Sequence, residues 1–248
     1  MNKSSYFVRN RLAEQTKPYF SVVALKKAGI GISATLAVLL MAGCSSDDDI
    51  NYVDYEVEIV NLTHNQPFSP LALRGDSANY RAWTIGETAS EGIEYIAEAG
   101  DNSQFLGTTS TKKSASGTGI IAPGETAVID LRTKEKARYL SAVTMLVNTN
   151  DAFAGVTGLN LASLSVGEQT SLYLPVYDAG TEANDELLGS IPGPADGGEG
   201  FNSERDDVDF VAMHPGVVGR DDGYADSVLD STHKFDGPVA KLTVIRTN

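Results

Sequence analysis

The 248-residue sequence has little cysteine, histidine and tryptophan and few positive charges. Its single cysteine is Cys44, so no disulfide can form within this chain. The three histidines, His64, His214 and His233, lie far apart, and none has the local spacing of a metal-ligand pair. G-x-S-x-G, H-E-x-x-H and P-loop motifs are absent. The local signatures of common hydrolases, zinc enzymes and nucleotide-binding proteins are therefore missing.

The first 43 residues show the pattern of a secretory signal that ends at a cysteine. A basic segment ends at Lys26-Lys27, an uncharged, largely apolar run covers 28–43, and small residues precede Cys44. A membrane-spanning helix needs ~20 apolar residues, and this run is too short and too rich in Gly and Ala. The order is similar to a bacterial lipoprotein signal, which predicts a signal peptide over 1–43 and lipidation of Cys44. A buried helix beside a chance free cysteine is the alternative.

A lipid on Cys44 attaches a chain to a membrane without a spanning helix. Each buried methylene contributes ~0.8 kcal/mol, so one acyl chain binds marginally, whereas the three chains typical of bacterial lipoproteins hold firmly. Residues 44–51 predict the lipidated cysteine and a polar, acidic tether before a domain over 52–248. Ser45, rather than Asp, favours the outer membrane in enteric bacteria. We therefore expect a bacterial cell-envelope protein at the outer membrane, on its periplasmic face or at the cell surface.

Negative charge dominates the chain. The whole sequence has 19 basic and 33 acidic residues, a net charge of −14. Residues 1–43 contain six of the basic residues and one of the acidic ones, so 13 and 32 remain after their removal, a net charge of −19. Such a surface repels nucleic acid and anionic membranes, because phosphate binding needs clustered Lys and Arg. We expect a cation-attracting exterior and no nucleic-acid partner.

Short alternating segments predict a β-rich domain from Tyr52 onwards. Four apolar residues between Val53 and Ile59 alternate with acidic ones, which is the period of a strand with one buried face. The apolar run at 139–147 predicts a central strand. Other strands are predicted at 71–73, 117–121, 126–131, 171–177, 208–213 and 238–247, whereas 155–164 mixes apolar residues with turn formers.

One helix is predicted in this domain. Apolar residues within 86–99 recur at helical spacing, and Gly100-Asp101 would end the helix. A long polar stretch occupies 178–207, and such a stretch inside a compact domain is usually functional or disordered. No internal repeat or convincing linker divides the chain. The pattern predicts an all-β fold, an antiparallel β-sandwich with one short helix.

Two acids that follow predicted strands are the best candidates for a site. Asp151 comes directly after the central strand, and Asp178 closes another strand. Two carboxylates ~4–5 Å apart repel by about 3–4 kcal/mol at an effective dielectric of ~20, so such a pair needs a cation or a shared proton. Calcium suits it, and Gly180 would let Glu182 fold back towards Asp178. Spacing alone leaves solvated loop acids as the alternative.

Three segments resemble the spondin domain, which occurs in the animal matrix protein F-spondin and in many bacterial exported proteins. They are 150–156 (NDAFAGV), 177–182 (YDAGTE) and the closing strand 240–246 (AKLTVIR). The resemblance extends over roughly 55–247, and its Asp-Ala-Gly-Thr-acid segment is the most specific part. It implies a C2-like antiparallel β-sandwich whose end loops hold one calcium ion.

The resemblance also implies the ligands of this ion, namely Asp151, Asp178 and Glu182. Glu182 stands where the animal domains have aspartate, and its longer side chain could still reach the ion or bind it through both oxygens. Ala152 replaces the tryptophan that commonly follows the first aspartate. The cysteines of the animal domain are missing, so none of its disulfides carries over to this chain.

Three classes of function remain open from the sequence. The first is a non-enzymatic, membrane-anchored, calcium-binding module that meets an unidentified protein or glycan in adhesion or at the cell envelope. The alternative is a periplasmic or surface hydrolase that uses the loop carboxylates and His214, which would require His214 near an acid in a cleft. A structural envelope lipoprotein with no ligand beyond its neighbours is the third. No residue is assigned a catalytic role.

Overall fold

A computed structural model describes residues 51–107 and 113–248, and strands are its main elements. Residues 1–50, with the predicted signal peptide, Cys44 and nearly all of the tether, lie outside the described residues. The strands are β1 (Tyr52–Asn61), β2 (Ala72–Asp76), β3 (Ser114–Ser116), β4 (Thr126–Lys134), β5 (Tyr139–Met145), β6 (Ala152–Asn160), β7 (Gln169–Leu174), β8 (Val176–Asp178), β9 (Ala212–Met213) and β10 (Ala240–Arg246). The helices are α1 (Glu91–Ala99) and α2 (Ser103–Leu106), with short 3₁₀ helices at Arg220–Asp222 and Ser231–His233. None of the helices in the two described ranges has the length and apolar character needed to span a bilayer.

Two antiparallel sheets enclose a hydrophobic core, which confirms the predicted β-sandwich. One sheet has four strands in the order β4-β1-β10-β7, and the other has six in the order β3-β2-β5-β6-β8-β9. In the smaller sheet β1 is central, and its Tyr55 pairs with Leu131 of β4 and Arg246 of β10. Alternate β1 residues from Val53 to Ile59 are at most 3% exposed, as the period-two pattern predicts.

The six-stranded sheet is buried on both faces. In β5, Leu140 and Ala142 belong to the core between the sheets, whereas Val143 and Met145 belong to a second core beneath helix α1. A strand that is covered on both sides reads as a continuous apolar run rather than as an alternation. This double burial explains the unbroken apolar character of 139–147.

Helix α1 covers the outer face of this sheet and confirms the predicted helix. Ile93 and Ile96 are at most 1% exposed and pack in the second core. Acidic residues in the first turn suit the positive end of the helix dipole, and Gly100 ends the helix with a left-handed φ of 66°. Glu94 and Glu98 are also buried, so this helix carries two acids into the protein interior.

The sequence pattern does not predict strand β6, because glycines interrupt its apolar residues. The mixed composition of 155–164 gives no clear strand pattern, yet β6 begins at Ala152 and runs through much of that segment. A Cβ on Gly155 would lie 2.4 Å from the Ala142 carbonyl oxygen and 2.8 Å from the Trp83 ring. Glycine is therefore required at this position by close packing, rather than by a turn.

Other differences from the predicted elements concern short segments near turns. The predicted strand at 171–177 is divided into β7 and β8 around Pro175, which has no amide proton for a ladder hydrogen bond. The strand predicted at 117–121 is reduced to a bridge at Ile121, and the one at 208–213 keeps two residues. Helix α2 has four residues, too few for a periodic pattern to indicate it.

Strand β1 runs from one end of the sandwich to the other. Its ten residues span about 30 Å at ~3.3 Å per residue, with Tyr52 at one end and Asn61 at the other. The Asn61 side chain donates to the Gln66 carbonyl oxygen at 2.9 Å, and the Gln66 side chain donates to the Asn148 carbonyl oxygen at 3.1 Å. These bonds place the loop before β6 at the Asn61 end. This end, which carries residues 148–151 and 178–207, is the loop pole.

The second core predicts a clear difference between two isoleucines. We expect Ile96→Ala to lower the free energy of unfolding by about 2–5 kcal/mol, because Ile96 is 1% exposed and its loss leaves a cavity beneath α1. Ile85 is 56% exposed, so Ile85→Ala should change it by less than about 0.5 kcal/mol. Urea unfolding of both variants, followed by circular dichroism, measures these values. Equal effects would contradict the placement of α1.

Candidate functional site

The loop between β5 and β6 holds Asp151 in the protein interior. All four residues from Asn148 to Asp151 are at most 3% exposed. Thr149 tightens the loop, since its hydroxyl donates to the Leu146 carbonyl oxygen at 2.6 Å and accepts from the Ala152 amide at 3.1 Å. Asp151 is therefore a buried acid and not a solvated loop residue.

The Asp151 carboxylate is held through one oxygen and unpaired at the other. Its Oδ2 accepts from the amides of Thr181 at 2.8 Å and Glu182 at 3.2 Å. Its Oδ1 is buried and has no hydrogen-bond partner among the described residues. Burial and then the charge of Asp178 raise the pKa of Asp151 to about 7. A buried carboxylate oxygen without a donor is costly unless a proton or a cation neutralises it.

Asp178 lies next to this loop, opposite Ala152 in the ladder between β6 and β8. Its Oδ1 accepts from the Gly180 amide and its Oδ2 from the Asn184 side chain, both at 2.7 Å. Gly180 has a φ of +71°, and a Cβ there would lie 2.4 Å from the Phe210 carbonyl oxygen. Only glycine makes this turn without strain, and the turn brings the Glu182 amide to Asp151, whereas the sequence predicts that Glu182 folds back towards Asp178.

Glu182 faces a group of further acids. Its Oε2 is buried and has no hydrogen-bond partner within residues 51–107 and 113–248. Burial, followed by the charges of four neighbouring carboxylates, raises the pKa of Glu182 to about 9. In order of effect these neighbours are Glu98, Asp151, Glu199 and Asp206. The structure thus brings the three predicted residues together, with Asp151 next to Asp178 on one side and Glu182 on the other.

A small cavity of about 140 Å³ opens beside Glu182. Its lining residues are Asn150, Glu182, Ala183, Asp185, Ser190, Glu199, Asn202 and Asp206. Four of them are carboxylates, three others bear polar oxygens, and no basic side chain is among them. Most of the lining comes from the polar stretch 178–207, which the sequence alone could assign either to function or to disorder.

Sequence reasoning missed Glu98, the carboxylate with the largest electrostatic effect on Glu182. Glu98 is fully buried on α1, and its position depends on how the helix packs against the loop pole. A signal was present, because Glu94 and Glu98 are one turn apart on the side of the helix that also carries apolar residues. Acids on the buried side of a helix are uncommon, and they indicate a partner for each.

The donor set at the loop pole is of the kind that a hard divalent cation requires. Calcium takes 6–8 oxygen ligands in flexible geometry, and Asp151 and Glu182 each have a buried carboxylate oxygen without a donor. In the described part of the chain, however, no group of three His, Cys, Asp or Glu side chains is already arranged to hold a metal ion. An ion bound here would therefore draw the carboxylates inward and add amide, carbonyl and water oxygens.

His214 lies near this site but reaches its acids only indirectly. The Gly216 amide donates to its Nδ1 at 3.0 Å, so the proton of the neutral ring lies on Nε2, 3.1 Å from the Asn184 side-chain oxygen. Asn184 in turn donates to Asp178. Burial lowers the pKa of His214 to about 4, which keeps the ring neutral at pH 7. A cavity of about 400 Å³ lies beside it, lined by 215–217 and 234–236.

Comparison with known proteins connects this fold and loop cluster to a family. The Spondin_N family model matches residues 61–186, about half of the chain. The match extends from the end of β1 to the segment after β8 and includes Asp151, Asp178 and Glu182, whereas the strand 240–246 lies outside it. No curated protein matches the chain. The chain belongs to the spondin N-terminal domain family.

Proposed function

We propose that this protein is a calcium-binding module for adhesion or binding, held at the bacterial cell envelope by a lipid on Cys44. Family membership supports the coarser part of this statement, an extracellular module of the binding or adhesion type. The observation that carries the calcium site is that the buried carboxylate of Asp151 has Asp178 and the partly buried Glu182 as neighbours. Two of these residues have a buried carboxylate oxygen without a hydrogen-bond donor among the described residues.

Calcium is the cation best suited to this cluster. The donors are carboxylate, amide and hydroxyl oxygens, and the cavity lining has no thiolate or imidazole that would favour zinc. Magnesium demands near-ideal octahedral geometry, whereas calcium tolerates irregular and larger ligand sets. The acids come from separate loop segments at different depths, an irregular arrangement that calcium tolerates. Asp151 and Glu182 would bind through their unpaired oxygens, and Asp178 would approach by releasing Asn184.

The expected energetics suit a structural or regulatory ion outside the cell. Extracellular sites of this kind have dissociation constants of ~10⁻⁴–10⁻³ M. At ~1 mM calcium and a constant of ~10⁻⁴ M, binding stabilises the folded state by about 1.4 kcal/mol. This free energy is enough to order loops but is small compared with the stability of a domain. The β-sandwich therefore supplies the fold, and the ion would fix the surface of the loop pole.

The loop pole lies at the end of β1 that is remote from Tyr52. The chain enters the domain at Tyr52, at the end of β1 opposite to Asn61 and the loop pole. The acidic loops therefore lie at the far end of β1 from the first described residues. Leu188 is 83% exposed in these loops and offers an apolar contact beside the acids. We infer that a protein or glycan partner meets this pole.

A non-enzymatic role accounts best for His214. Each of its ring nitrogens already has a hydrogen-bond partner, and Asn184 lies between the ring and Asp178. A general base must reach the proton it removes, directly or through one water. The arrangement instead positions Asn184, which holds Asp178 in its place at the loop pole.

Calcium titration tests the proposed site. We expect the full chain, purified in detergent, to bind calcium with a constant of ~10⁻⁴–10⁻³ M in calorimetry. Asp151→Asn combined with Asp178→Asn should weaken binding by at least about tenfold, because two anionic ligands are lost. The matched control is Asp226→Asn combined with Asp236→Asn, which removes the same charge from two exposed acids. Absence of binding by the wild type, or equal weakening in the control, would contradict the assignment.

Protons should compete with calcium. The pKa values of Asp151 and Glu182, about 7 and about 9, lie above their ordinary values, so the folded state holds these protons more tightly than the unfolded state. Their contribution to stability is complete below about pH 4 and is lost as pH rises through both values. Without calcium, we therefore expect the midpoint temperature of thermal unfolding to fall as the pH is raised from about 6.5 to about 9.

The variant Asp151→Asn/Glu182→Gln should show a smaller fall over this range, because neither replacement titrates. Addition of ~1 mM calcium should raise the wild-type midpoint more at about pH 8 than at about pH 6.5, since the ion binds deprotonated carboxylates. Differential scanning calorimetry measures both effects. A wild-type midpoint that is independent of pH would show that these acids are not buried with raised pKa values.

Membrane attachment depends on Cys44 in this proposal. We expect the Cys44→Ala variant to lose incorporation of an alkyne-labelled palmitate and to move from the membrane fraction to the soluble fraction, because the acyl chains supply the attachment. Ser45→Ala is the matched control and should remain labelled and membrane-bound. Labelling that persists in Cys44→Ala would place the lipid elsewhere or show that there is none.

A further inference from the structure

Unpaired buried oxygens are concentrated at one place in the structure. Within residues 51–107 and 113–248, five buried side-chain polar atoms have no hydrogen-bond partner, and three of them are carboxylate oxygens. These three are Glu98 Oε1, Asp151 Oδ1 and Glu182 Oε2. They belong to carboxylates from three parts of the fold: helix α1, the loop before β6 and the segment after β8. Contacts join them: the Asn202 amide donates to Glu98, Asn202 lines the cavity beside Glu182, and the Glu182 amide donates to Asp151.

Glu98 is fully buried, as is Asp151, among the acids that act on Glu182. Its side chain is 0% exposed, and its Oε2 accepts from the Asn202 amide at 2.9 Å. The Thr181 hydroxyl donates to Asp151 Oδ2 at 3.3 Å, and it also lowers the pKa of Glu98. One hydroxyl proton can serve only one of these two carboxylates at a time. The hydroxyl therefore cannot hydrogen-bond to both carboxylates at once, and it neutralises neither of them.

Glu94, one helical turn earlier, is a buried acid whose charge is neutralised by an ion pair with Arg205. Arg205 donates to both Glu94 oxygens, at 3.0 Å through Nε and 2.5 Å through Nη2. The remaining charged contact of Arg205 is with Asp209. Among the described residues Glu98 has no ion pair. The charge of Glu94 raises its pKa, and the charge of Arg205, which is already paired with Glu94, lowers it. The two residues share a helix but differ in what neutralises them.

We propose that Glu98 is a further ligand of the cation that Asp151, Asp178 and Glu182 hold, so that the ion joins helix α1 to the loop pole. This inference rests on the proposed calcium site. Glu98 Oε1 would bind the ion while Oε2 keeps the Asn202 amide. Glu98 is fully buried and has no ion pair with a basic side chain among the described residues. Its role as a fourth carboxylate ligand would explain why this position holds glutamate rather than glutamine.

The proposed contact extends the effect of the ion beyond the loops that bind it. Segment 199–209 already docks on α1 through the stacked rings of Tyr95 and Phe201, whose centroids are 3.8 Å apart, and through the Arg205–Glu94 ion pair. A cation held by Glu98 and Glu182 would tie α1 and this segment to the turn after β8. The surface that calcium orders would then include 199–209 as well as 178–182.

The test compares Glu98→Gln with Glu91→Gln on the same helix, in the full chain in detergent. The first substitution keeps the shape of the side chain and the oxygen that accepts from Asn202 but removes the charge, whereas Glu91 is exposed and serves as the matched control. We expect the Glu98→Gln variant to bind calcium about ten- to hundredfold more weakly in calorimetry. Its thermal midpoint without calcium should equal or exceed that of the wild type, because a repelling charge is gone.

The outcomes separate this inference from the proposed function. Wild-type affinity in Glu98→Gln, with the Asp151→Asn/Asp178→Asn variant still defective, would refute the role of Glu98 and leave the calcium site intact. No calcium binding by the wild type would refute both. If Glu98→Gln, with a chelator present, loses as much unfolding free energy as it loses calcium-binding free energy, that result would show that Glu98 has a purely structural role and would refute the proposal. If Glu98→Gln does not fold, Glu98→Asp keeps the charge but shortens the reach, and unchanged affinity in that variant would equally refute the proposal.

Discussion

Burial of the Asp151 carboxylate is the constraint on which the loop pole depends. Its Oδ2 accepts the amides of Thr181 and Glu182, and these bonds fasten the turn after β8 to the loop before β6. A buried charge of this kind is expensive unless it is paired, because the interior replaces water poorly as a solvent for ions. The neighbouring charge, however, is a second carboxylate, Asp178. The fold therefore gathers acids where charge is penalised, and a proton or a cation must complete the arrangement.

The scaffold permits this burial because the six-stranded sheet is covered on both faces. The smaller sheet covers one face, and α1 covers the other and carries Glu94 and Glu98 towards the segment that follows β8. Arg205 neutralises Glu94 and so fixes segment 199–209 against the helix. Three residues of this segment, Glu199, Asn202 and Asp206, line the acidic cavity beside Glu182. The same packing that stabilises the outer face thus creates the concentration of negative charge at the loop pole.

The sequence predicts those features of this protein that depend on residues close together in the chain. It does not predict the features that depend on contacts between residues far apart in the chain. The alternation in β1, the helical spacing of α1 and the turn at Gly180 are local, and all three are found. Strand β6 is not predicted, because its Gly155 is required by close packing against the Trp83 ring, and Trp83 is remote in sequence. Asp151 and Asp178 could be proposed because Asp151 follows one predicted strand and Asp178 closes another. The proximity of Glu98 to Glu182 could not, since it requires knowledge of how α1 packs against the loops.

The raised pKa values set the conditions under which the proposed site would act. At neutral pH and without calcium, Glu182 keeps its proton and Asp151 is divided between its two forms. Calcium must then displace protons, which lowers its apparent affinity. Once bound in this desolvated place, the ion interacts strongly, since a pair of charges at ~4 Å gains about 4 kcal/mol at an effective dielectric of ~20 and about 1 kcal/mol in water. Weak apparent affinity combined with strong local ordering suits millimolar calcium. The proposed ion would therefore order the loops at millimolar calcium and not at cytosolic calcium levels.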